Sequence, residues 1–364
     1  MPIRLEARGQ HSVFWTYGSP VLALVLTLVT TTIIFAFLGK SPEEALYTFF
    51  IKPLTAQGSL PELLVKAAPL VLIGVGLSLG FRANVWNIGA EGQYTIGAIT
   101  GGGLALWFSD STGVWLLPAM IIAGILGGMA WAAIPAWLRT RFNANEILTS
   151  LMLTYVAQLI LLYLVTGPWR DPEGYGFPQS SMFSDAATLP ILATGTRLHL
   201  GVLIALMVVG LGWVMLGKSL VGFQLKVVGQ APRAARYAGF SDRALVWLSL
   251  MLGGGLAGAA GLFEVAGPVG QLTPQISPGY GFTAIIVAFL GRLHPVGVLF
   301  AGLLLALSYL GGEVAQIDLG LPSAVTGIFQ GILLFYLLGC DILINYRLRL
   351  GRHASLARAV TVRS

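Results

Sequence analysis

Residues 81–94 place polar side chains between two apolar runs that are each long enough to cross a lipid bilayer. The segment contains Asn87, Glu91 and Gln93, together with an arginine and a second asparagine. Amides and carboxylates are costly in hydrocarbon, so they usually face the interior of a helix bundle or a water-filled cavity. The segment therefore indicates a conformationally sensitive stretch near a path through the membrane or at its mouth. A turn at the membrane interface, with Glu91 at a helix N-terminus, is the alternative that the residues leave open.

The other reactive side chains form no pattern typical of an enzyme or a metal site. Four histidines lie in different segments without an H-E-x-x-H pair, and no G-x-S-x-G motif is present. The single cysteine, Cys340, excludes an intrachain disulfide and a thiolate metal cluster. Residues 212–219 match the phosphate-binding pattern G-x-x-x-x-G-K-S, but their bulky middle ends an apolar helix, so Lys218 is better explained as a membrane anchor. We therefore predict no catalytic residue, no metal and no cofactor bound by this chain.

The composition predicts an all-α integral membrane protein. Charged residues make up 10% of the 364 residues and hydrophobic residues 56%, whereas about 25% of a soluble domain is charged. Apolar runs predict about ten transmembrane helices, of which the eighth is too short to cross unaided and is expected to be short or re-entrant. The predicted spans are 20–38, 62–81, 88–108, 114–137, 146–166, 199–216, 246–266, 280–292, 296–312 and 322–343.

The basic residues predict how these helices are oriented. With both termini in the cytoplasm, most of the 21 Lys and Arg residues lie on the inner side, as the positive-inside rule requires. The same topology explains the net charge of +6 without a nucleic-acid partner. We predict one transmembrane domain over 1–364, with 19 cytoplasmic N-terminal residues and a basic cytoplasmic tail at 344–364 in contact with lipid. An even number of spans also allows two five-helix halves of inverted topology, divided at residue 198.

Glycines recur at small-xxx-small spacing on five of the predicted helices, which predicts close approach of their backbones. Such residues matter in lipid because hydrophobicity does not drive helices together there. The pairs are Gly76/Gly80, Gly97/Gly101, Gly124/Gly128, Gly254/Gly258 and Gly327/Gly331.

The longest inner loop, 217–245, is basic and contains a predicted short helix. Pro232 suits the first helical turn, the alanines that follow favour helix, and Gly239 can supply a left-handed cap. Such a helix is a docking element for a partner, or it rests on anionic lipid. On the outer side, loop 167–198 is long enough to receive an external partner, although an ordinary surface loop fits as well.

Residues 81–94, with N-I-G-A-E-G-Q at 87–93, resemble the signature of permease subunits of ATP-binding-cassette (ABC) importers in the simple-sugar and branched-chain amino-acid group. The N-I-G-x-E-G-Q form is most similar to the nucleoside-transport branch. Residues 142–147, 228–239 and 279–285 support the resemblance, which covers about 20–345. It implies a type II importer permease fold and a non-catalytic subunit that moves nucleosides across the bacterial inner membrane by alternating access.

The resemblance also implies partners and site residues. Cytoplasmic ATPase subunits would bind ATP and Mg²⁺, an extracytoplasmic binding protein would deliver the solute, and a second, different permease would complete a heterodimer. The short helix in the inner loop, 217–245, would be the coupling helix. Its predicted ATPase contacts are Pro232, Arg233, Arg236 and Tyr237. The candidates for the substrate pathway or its gate are Asn87, Glu91, Gln93, Gln271, Tyr280 and Thr283.

Two alternative functions stay open at this point. A permease for pentoses or other simple sugars belongs to the same family, and a nucleoside itself contains a ribose. An ion-coupled secondary transporter would need ionisable side chains well inside its spans. The nearest such residues, Lys66, Glu264 and Asp341, all lie toward span ends, which counts against this second alternative.

Overall fold

The computed structural model describes residues 3–7, 13–55 and 58–350, and nearly all of these residues are helical. Two short strands, β1 (Ile3–Ala7) and β2 (Tyr346–Leu350), pair in antiparallel register. The helices are α1 (Val13–Phe37), α2 (Pro42–Leu46), α3 (Lys52–Thr55), α4 (Ser59–Arg82), α5 (Ala90–Trp107), α6 (Leu116–Phe142), α7 (Glu146–Thr166), α8 (Leu200–Lys218), α9 (Leu220–Gln230), α10 (Pro232–Tyr237), α11 (Asp242–Glu264), α12 (Tyr280–Leu290), α13 (Pro295–Leu319) and α14 (Ala324–Asn345). Single turns of other helix types lie at Tyr47–Ile51, Asp185–Ala187 and Val265–Val269.

The predicted helical membrane fold is confirmed, and each predicted span coincides with a helix. Within the described part of the chain, eight helices are long and apolar enough to cross a membrane. The other two are α5, which is rich in glycine and polar side chains, and α12, which has only 11 residues. The eighth predicted span is therefore short, as its sequence indicated, and ten is an approximate number of crossings.

The chain divides into two compact units, each of which we describe by itself. The smaller unit contains the described residues up to Leu46 and those from Ala324 onward. In it, α1 packs against α14, where Ser19 Oγ donates to Asp341 Oδ1 at 2.7 Å. Helix α1 begins at Val13, earlier than the predicted span, so part of the predicted N-terminal tail is helical. Of the predicted C-terminal tail 344–364, β2 occupies five residues, and 351–364 lie outside the described residues.

The larger unit, Tyr47–Ser323, is built around α4, α5, α6 and α11, which approach one another through glycines. A Cβ atom at Gly76 would lie 3.0 Å from the Cα atom of Gly253, and one at Gly97 would overlap the backbone of Gly258. Four of the five predicted glycine pairs thus lie where helices touch. The fifth pair differs, because no described atom lies within 4 Å of a Cβ built at Gly327 or at Gly331.

His199 forms the N-cap of α8, and its Nδ1 atom accepts a hydrogen bond from the backbone N–H of Gly201 at 3.2 Å. The side chain is buried. Burial disfavours the charged imidazolium and lowers the pKa of His199 to about 4. The ring is therefore neutral near neutral pH, as its role as an acceptor at Nδ1 requires.

We expect the stability of the protein to fall as the pH is lowered from about 6.5 toward 4. The folded state keeps His199 neutral, so the stability that its lowered pKa contributes is present above the unfolded-state pKa and is lost as the pH falls through the folded-state pKa. His199→Asn retains a side-chain acceptor at the N-cap and should lose less stability over this range. Thermal unfolding of the solubilised protein at both ends of the range measures the difference, and an equal loss in both proteins would contradict the assignment.

Candidate functional site

The segment between α4 and α5 is irregular and largely buried, although Asn84 is exposed. Val85 and Asn87 are nearly inaccessible, and Asn84 adopts a left-handed conformation with a φ of 57°. The backbone N–H of Val85 donates to the carbonyl of Gly80 at 2.9 Å, which folds the chain back against α4. Non-helical backbone inside a membrane protein is tolerated where protein buries it or where it lines a cavity. Helix α5 therefore begins inside the bundle, and not at its surface.

Asn87 and Gln93 form a reciprocal pair of amide side chains at the start of α5. Asn87 Nδ2 donates to Gln93 Oε1 at 2.8 Å, and Gln93 Nε2 donates to Asn87 Oδ1 at 3.0 Å. Asn87 Oδ1 also accepts from the backbone N–H of Gly89 at 3.1 Å. Both side chains are buried. In this conformation the two predicted pathway residues hold the first turn of α5 in place.

Glu91 joins the beginnings of two helices that are distant in the sequence. It lies in the first turn of α5, and its Oε2 atom accepts from the backbone N–H of Gly281, in the first turn of α12, at 2.6 Å. A carboxylate at a helix N-terminus satisfies an unpaired N–H group and interacts favourably with the helix dipole. Only glycine fits at position 281, because a Cβ there would lie 2.5 Å from Glu91 Cα. The carboxylate of Glu91 is 2% exposed, so this contact is shielded from bulk water.

Tyr280 and Thr283 lie beside this contact, and two further tyrosines complete the cluster. The Thr283 and Tyr309 hydroxyls are 2.8 Å apart, and the Tyr280 ring makes edge-to-face contacts with the rings of Tyr94 and Tyr309. The structure thus brings Glu91, Tyr280 and Thr283 together, and their role in a substrate pathway stays a prediction. Tyr94 and Tyr309 were missed because a tyrosine within an apolar helix has the same pattern as an ordinary core residue.

Gln271 lies apart from this cluster, in the connection between α11 and α12. Its Nε2 atom is 3.4 Å from Gln179 Oε1 in the predicted outer loop. The same two segments exchange backbone hydrogen bonds, with Ser180 N–H donating to Leu272 O at 2.9 Å and Phe183 N–H to Gly270 O at 2.8 Å. Gln271 therefore contributes to the attachment of the outer loop, and its side-chain hydrogen bond is made there and not in the α5–α12 cluster.

The predicted short helix in the inner loop is present as α10, and its side chains are free to meet a partner. Pro232 occupies its first turn, and Gly239 follows it with a φ of 78°. Pro232, Arg233, Arg236 and Tyr237 are all exposed, and Tyr237 is 95% exposed. Arg236 Nε donates to Asp242 Oδ2 at 2.7 Å, which ties α10 to the start of α11. An exposed helix of this kind is suited to docking.

Close contacts hold α9, the helix that precedes α10, against the turn after α4. Gly229, near the end of α9, lies so close to the carbonyl oxygen of Arg82 that any side chain would overlap it. On the other side of this turn, Glu146 Oε1 accepts from the backbone N–H of Trp86 at 3.3 Å and pairs with Arg139. The turn after α4 therefore contacts both α9 and the Glu146 side chain of α7. From this turn the chain continues to Glu91, in the first turn of α5.

The sequence of the chain is similar to those of known proteins. Residues 59–338 match the model of the family described as branched-chain amino acid transport system / permease component. The chain is 39% identical over 355 residues to the glucose ABC transporter permease protein TsgB13 of Haloferax volcanii, covering 95% of this chain and 93% of that protein.

Two proteins of Bacillus subtilis are also similar. The guanosine ABC transporter permease protein NupP is 30% identical over 331 residues, which cover 87% of this chain and 91% of NupP. The guanosine ABC transporter permease protein NupQ is 27% identical over 250 residues, which cover 67% of this chain and 78% of NupQ. The match over most of the chain shows that this protein belongs to the permease component family of branched-chain amino acid transport systems, and that it is a multi-pass permease subunit of an ABC transporter.

Proposed function

We propose that this chain is the permease subunit of an importer that moves nucleosides across the bacterial inner membrane, with both of its termini in the cytoplasm. The observation that supports this most directly is the buried meeting of α5 and α12 at Glu91. Transporters form their solute sites at broken helices, where half-helix ends and irregular backbone supply polar groups. The neighbouring hydroxyl and aromatic groups of Tyr94, Tyr280, Thr283 and Tyr309 are uncharged and suit a neutral, hydroxyl-rich solute.

A simple sugar is the second candidate for the solute, because TsgB13, a glucose permease protein, is 39% identical to this chain. NupP and NupQ, which are guanosine permease proteins, favour the nucleoside. The cluster at Glu91 offers hydrogen bonds to a sugar ring in either case. Membership of an ABC permease family counts against the ion-coupled transporter that the residues alone left open.

The energy for transport comes from partners in this proposal. ATPase subunits bind ATP and Mg²⁺, dock on α10 and drive alternating access, while this chain performs no catalysis and binds no cofactor. A second permease completes a heterodimer, and the similarity to both NupP and NupQ of one organism supports this arrangement. An extracytoplasmic binding protein delivers the solute to the outer face, where loop 167–198 is attached to the α11–α12 connection.

A deletion strain tests the solute. Loss of the gene should reduce uptake of labelled nucleosides and confer resistance to toxic nucleoside analogues, and the wild-type gene should restore both. Glucose and pentose uptake, measured in the same cells, should not change. Unaltered nucleoside uptake with reduced sugar uptake would assign the sugar instead. Transport by the purified chain alone, driven by an ion gradient without ATPase subunits, would overturn the whole proposal.

Charge reversal on α10 should uncouple ATP hydrolysis from uptake. We expect Arg233→Glu/Arg236→Glu to lower nucleoside-stimulated ATPase activity and uptake at least tenfold, since exposed arginines that face a partner contribute to orientation and affinity. The permease should still insert into the membrane. Lys226→Glu, on the exposed face of α9, reverses a charge nearby and should change little.

The Arg236–Asp242 pair requires its own control, because reversing Arg236 alone also places two acids together. Arg236→Glu/Asp242→Arg exchanges the two charges and keeps the pair within the chain. This variant should still lose coupling. Wild-type coupling in the exchanged variant would show that Arg236 serves the fold of the loop and makes no contact with the ATPase.

A further inference from the structure

A cavity of about 480 Å³ opens beside α10, away from the α5–α12 cluster. Four parts of the chain line it: the turn after α4, the C-terminal end of α6, the α9–α10 junction and the beginning of α11. Its volume lies within the range of small-molecule sites, which is about 300–1,000 Å³. A ligand bound here would touch the docking helix and the turn that leads to Glu91 at the same time.

The lining of this cavity is strongly basic. Arg139, Arg141, Arg236 and Arg243 contribute to it, and Asp242 is its acidic lining residue. Arginine is suited to phosphate because its planar guanidinium presents paired N–H groups to two oxygens at once. Four arginines converging from three helices therefore favour an anion over a neutral solute.

Two of the four arginines already have acidic partners within the chain. Arg139 pairs with Glu146, and Arg236 pairs with Asp242 at 2.7 Å. Arg141 and Arg243 form no ion pair with any other residue in the described ranges, and both are exposed. The cavity consequently keeps positive charge that internal acids do not balance.

The cavity is also lined by uncharged side chains that can donate hydrogen bonds. Asn84 and Asn143 lie at the cavity on two left-handed turns, with φ values of 57° and 54°. The Oδ1 atom of Asn84 accepts from Trp86 Nε1 at 2.9 Å, which leaves its amide N–H groups to donate elsewhere. Donors beside uncompensated arginines match the oxygen-rich surface of a phosphate group.

We propose that this cavity binds a phosphate-bearing anion, with Arg141 and Arg243 as its principal ligands. The anion is a soluble sugar phosphate or the headgroup of an anionic phospholipid, which present the same chemistry. Because the four lining segments include the turn after α4 and α10, the bound anion holds the docking helix and that turn in one arrangement. The site is independent of which solute the transporter carries.

Equilibrium binding to the complete transporter tests this site. The complex is placed in phosphatidylcholine nanodiscs and titrated with labelled ribose 5-phosphate. In a parallel experiment it is loaded with phosphatidylglycerol and exchanged into phosphatidylcholine, and the retained lipid is measured by mass spectrometry. We expect at least one of these probes to bind. Competition between the two shows whether the lipid or the soluble phosphate is preferred.

Matched variants locate the binding. Arg141→Ala/Arg243→Ala should weaken it at least tenfold, because both of the principal charge-assisted contacts are lost. Lys40→Ala/Lys226→Ala removes the same charge outside the cavity and should bind like wild type. Arg141→Lys/Arg243→Lys keeps the charge without the paired donors and should be intermediate, which separates recognition from simple attraction.

Two results would overturn the proposal: neither probe binds the wild-type complex, or the double alanine variant binds as tightly as wild type. If neither probe binds the wild-type complex and the double alanine variant loses its ATPase subunits, the two arginines contact acidic side chains of the partner instead. None of these results depends on nucleoside uptake, so they leave the proposed function untouched.

Discussion

Glu91→Ala is expected to abolish uptake while the permease still inserts and assembles with its partners. The wild-type carboxylate accepts a hydrogen bond of 2.6 Å from the first turn of α12 and is 2% exposed. Its loss leaves the buried N–H of Gly281 without this acceptor. A buried donor left without a partner costs about 1–3 kcal/mol, so the start of α12 should no longer be fixed to α5.

The conservative variant distinguishes charge from hydrogen bonding. Glu91→Gln retains a side-chain oxygen that can accept from Gly281, so it should keep part of the uptake that Glu91→Ala loses. Glu44→Gln removes an exposed acid from the smaller unit and serves as the matched control. Uptake and ATPase activity are measured on the same vesicles. Because we place Glu91 on the transport route, uptake should fall more than basal ATPase activity, and wild-type uptake in Glu91→Ala would refute the assignment.

The sequence located the elements of this fold well because their signals are local. A run of apolar residues must be a helix in lipid, and Pro232 followed by alanines and Gly239 specifies α10 without help from distant residues. The short eighth span was also visible, since only about a dozen apolar residues precede Arg292. These features depend only on residues that are close together in the sequence, so a single sequence is enough to predict them.

The contacts of the site residues could not be predicted from the sequence, because they are made to residues far away along the chain. One of the two interpretations of residues 81–94 placed Glu91 at a helix N-terminus. Glu91 does lie in the first turn of α5, but its carboxylate accepts a hydrogen bond from α12, 190 positions away. Nothing around Tyr94 or Tyr309 distinguishes them from core tyrosines. Gln271 was grouped with Tyr280 because both precede or begin the eighth span, whereas the backbone pairing of residues 270–272 with 180–183 draws it to the outer loop. Such contacts are set by tertiary packing and have no local signature.

Glycine spacing alone also does not show which glycines lie where helices touch, since Gly254/Gly258 does and Gly327/Gly331 has no described atom within 4 Å. Gly258→Ala should destabilise the protein severely. A Cβ at this position would lie 3.0 Å from Gly128 Cα and would overlap the carbonyl oxygen of Gly124, so α11 and α6 would have to separate. Overpacking of a close-packed core costs about 1–3 kcal/mol even where side chains can adjust. Here the obstacle is backbone, and we expect a cost at the upper end of that range or beyond.

Gly327→Ala is the matched control, because Gly327 has the same spacing to a second glycine on α14 but no described atom within 4 Å of its Cβ position. This exchange should be neutral, or it should stabilise the helix by about 0.5–1 kcal/mol. Thermal unfolding and folded yield of the solubilised proteins measure both effects. Similar stability of the two variants would show that the contact between α6 and α11 is not set by glycine.

The variants at Gly258 and at Glu91 should differ in which property they impair, because Gly258 determines helix packing whereas Glu91 joins two helix ends. Gly258 fixes how α5, α6 and α11 pack, so Gly258→Ala should lower folded yield and uptake in parallel, as should Gly97→Ala at the same crossing. Glu91 fixes the meeting of two helix ends inside a bundle that glycine packing already holds together. Its alanine variant should therefore reach the membrane at nearly wild-type yield and fail only in transport. A parallel loss of yield and uptake in Glu91→Ala would instead make the carboxylate part of the core.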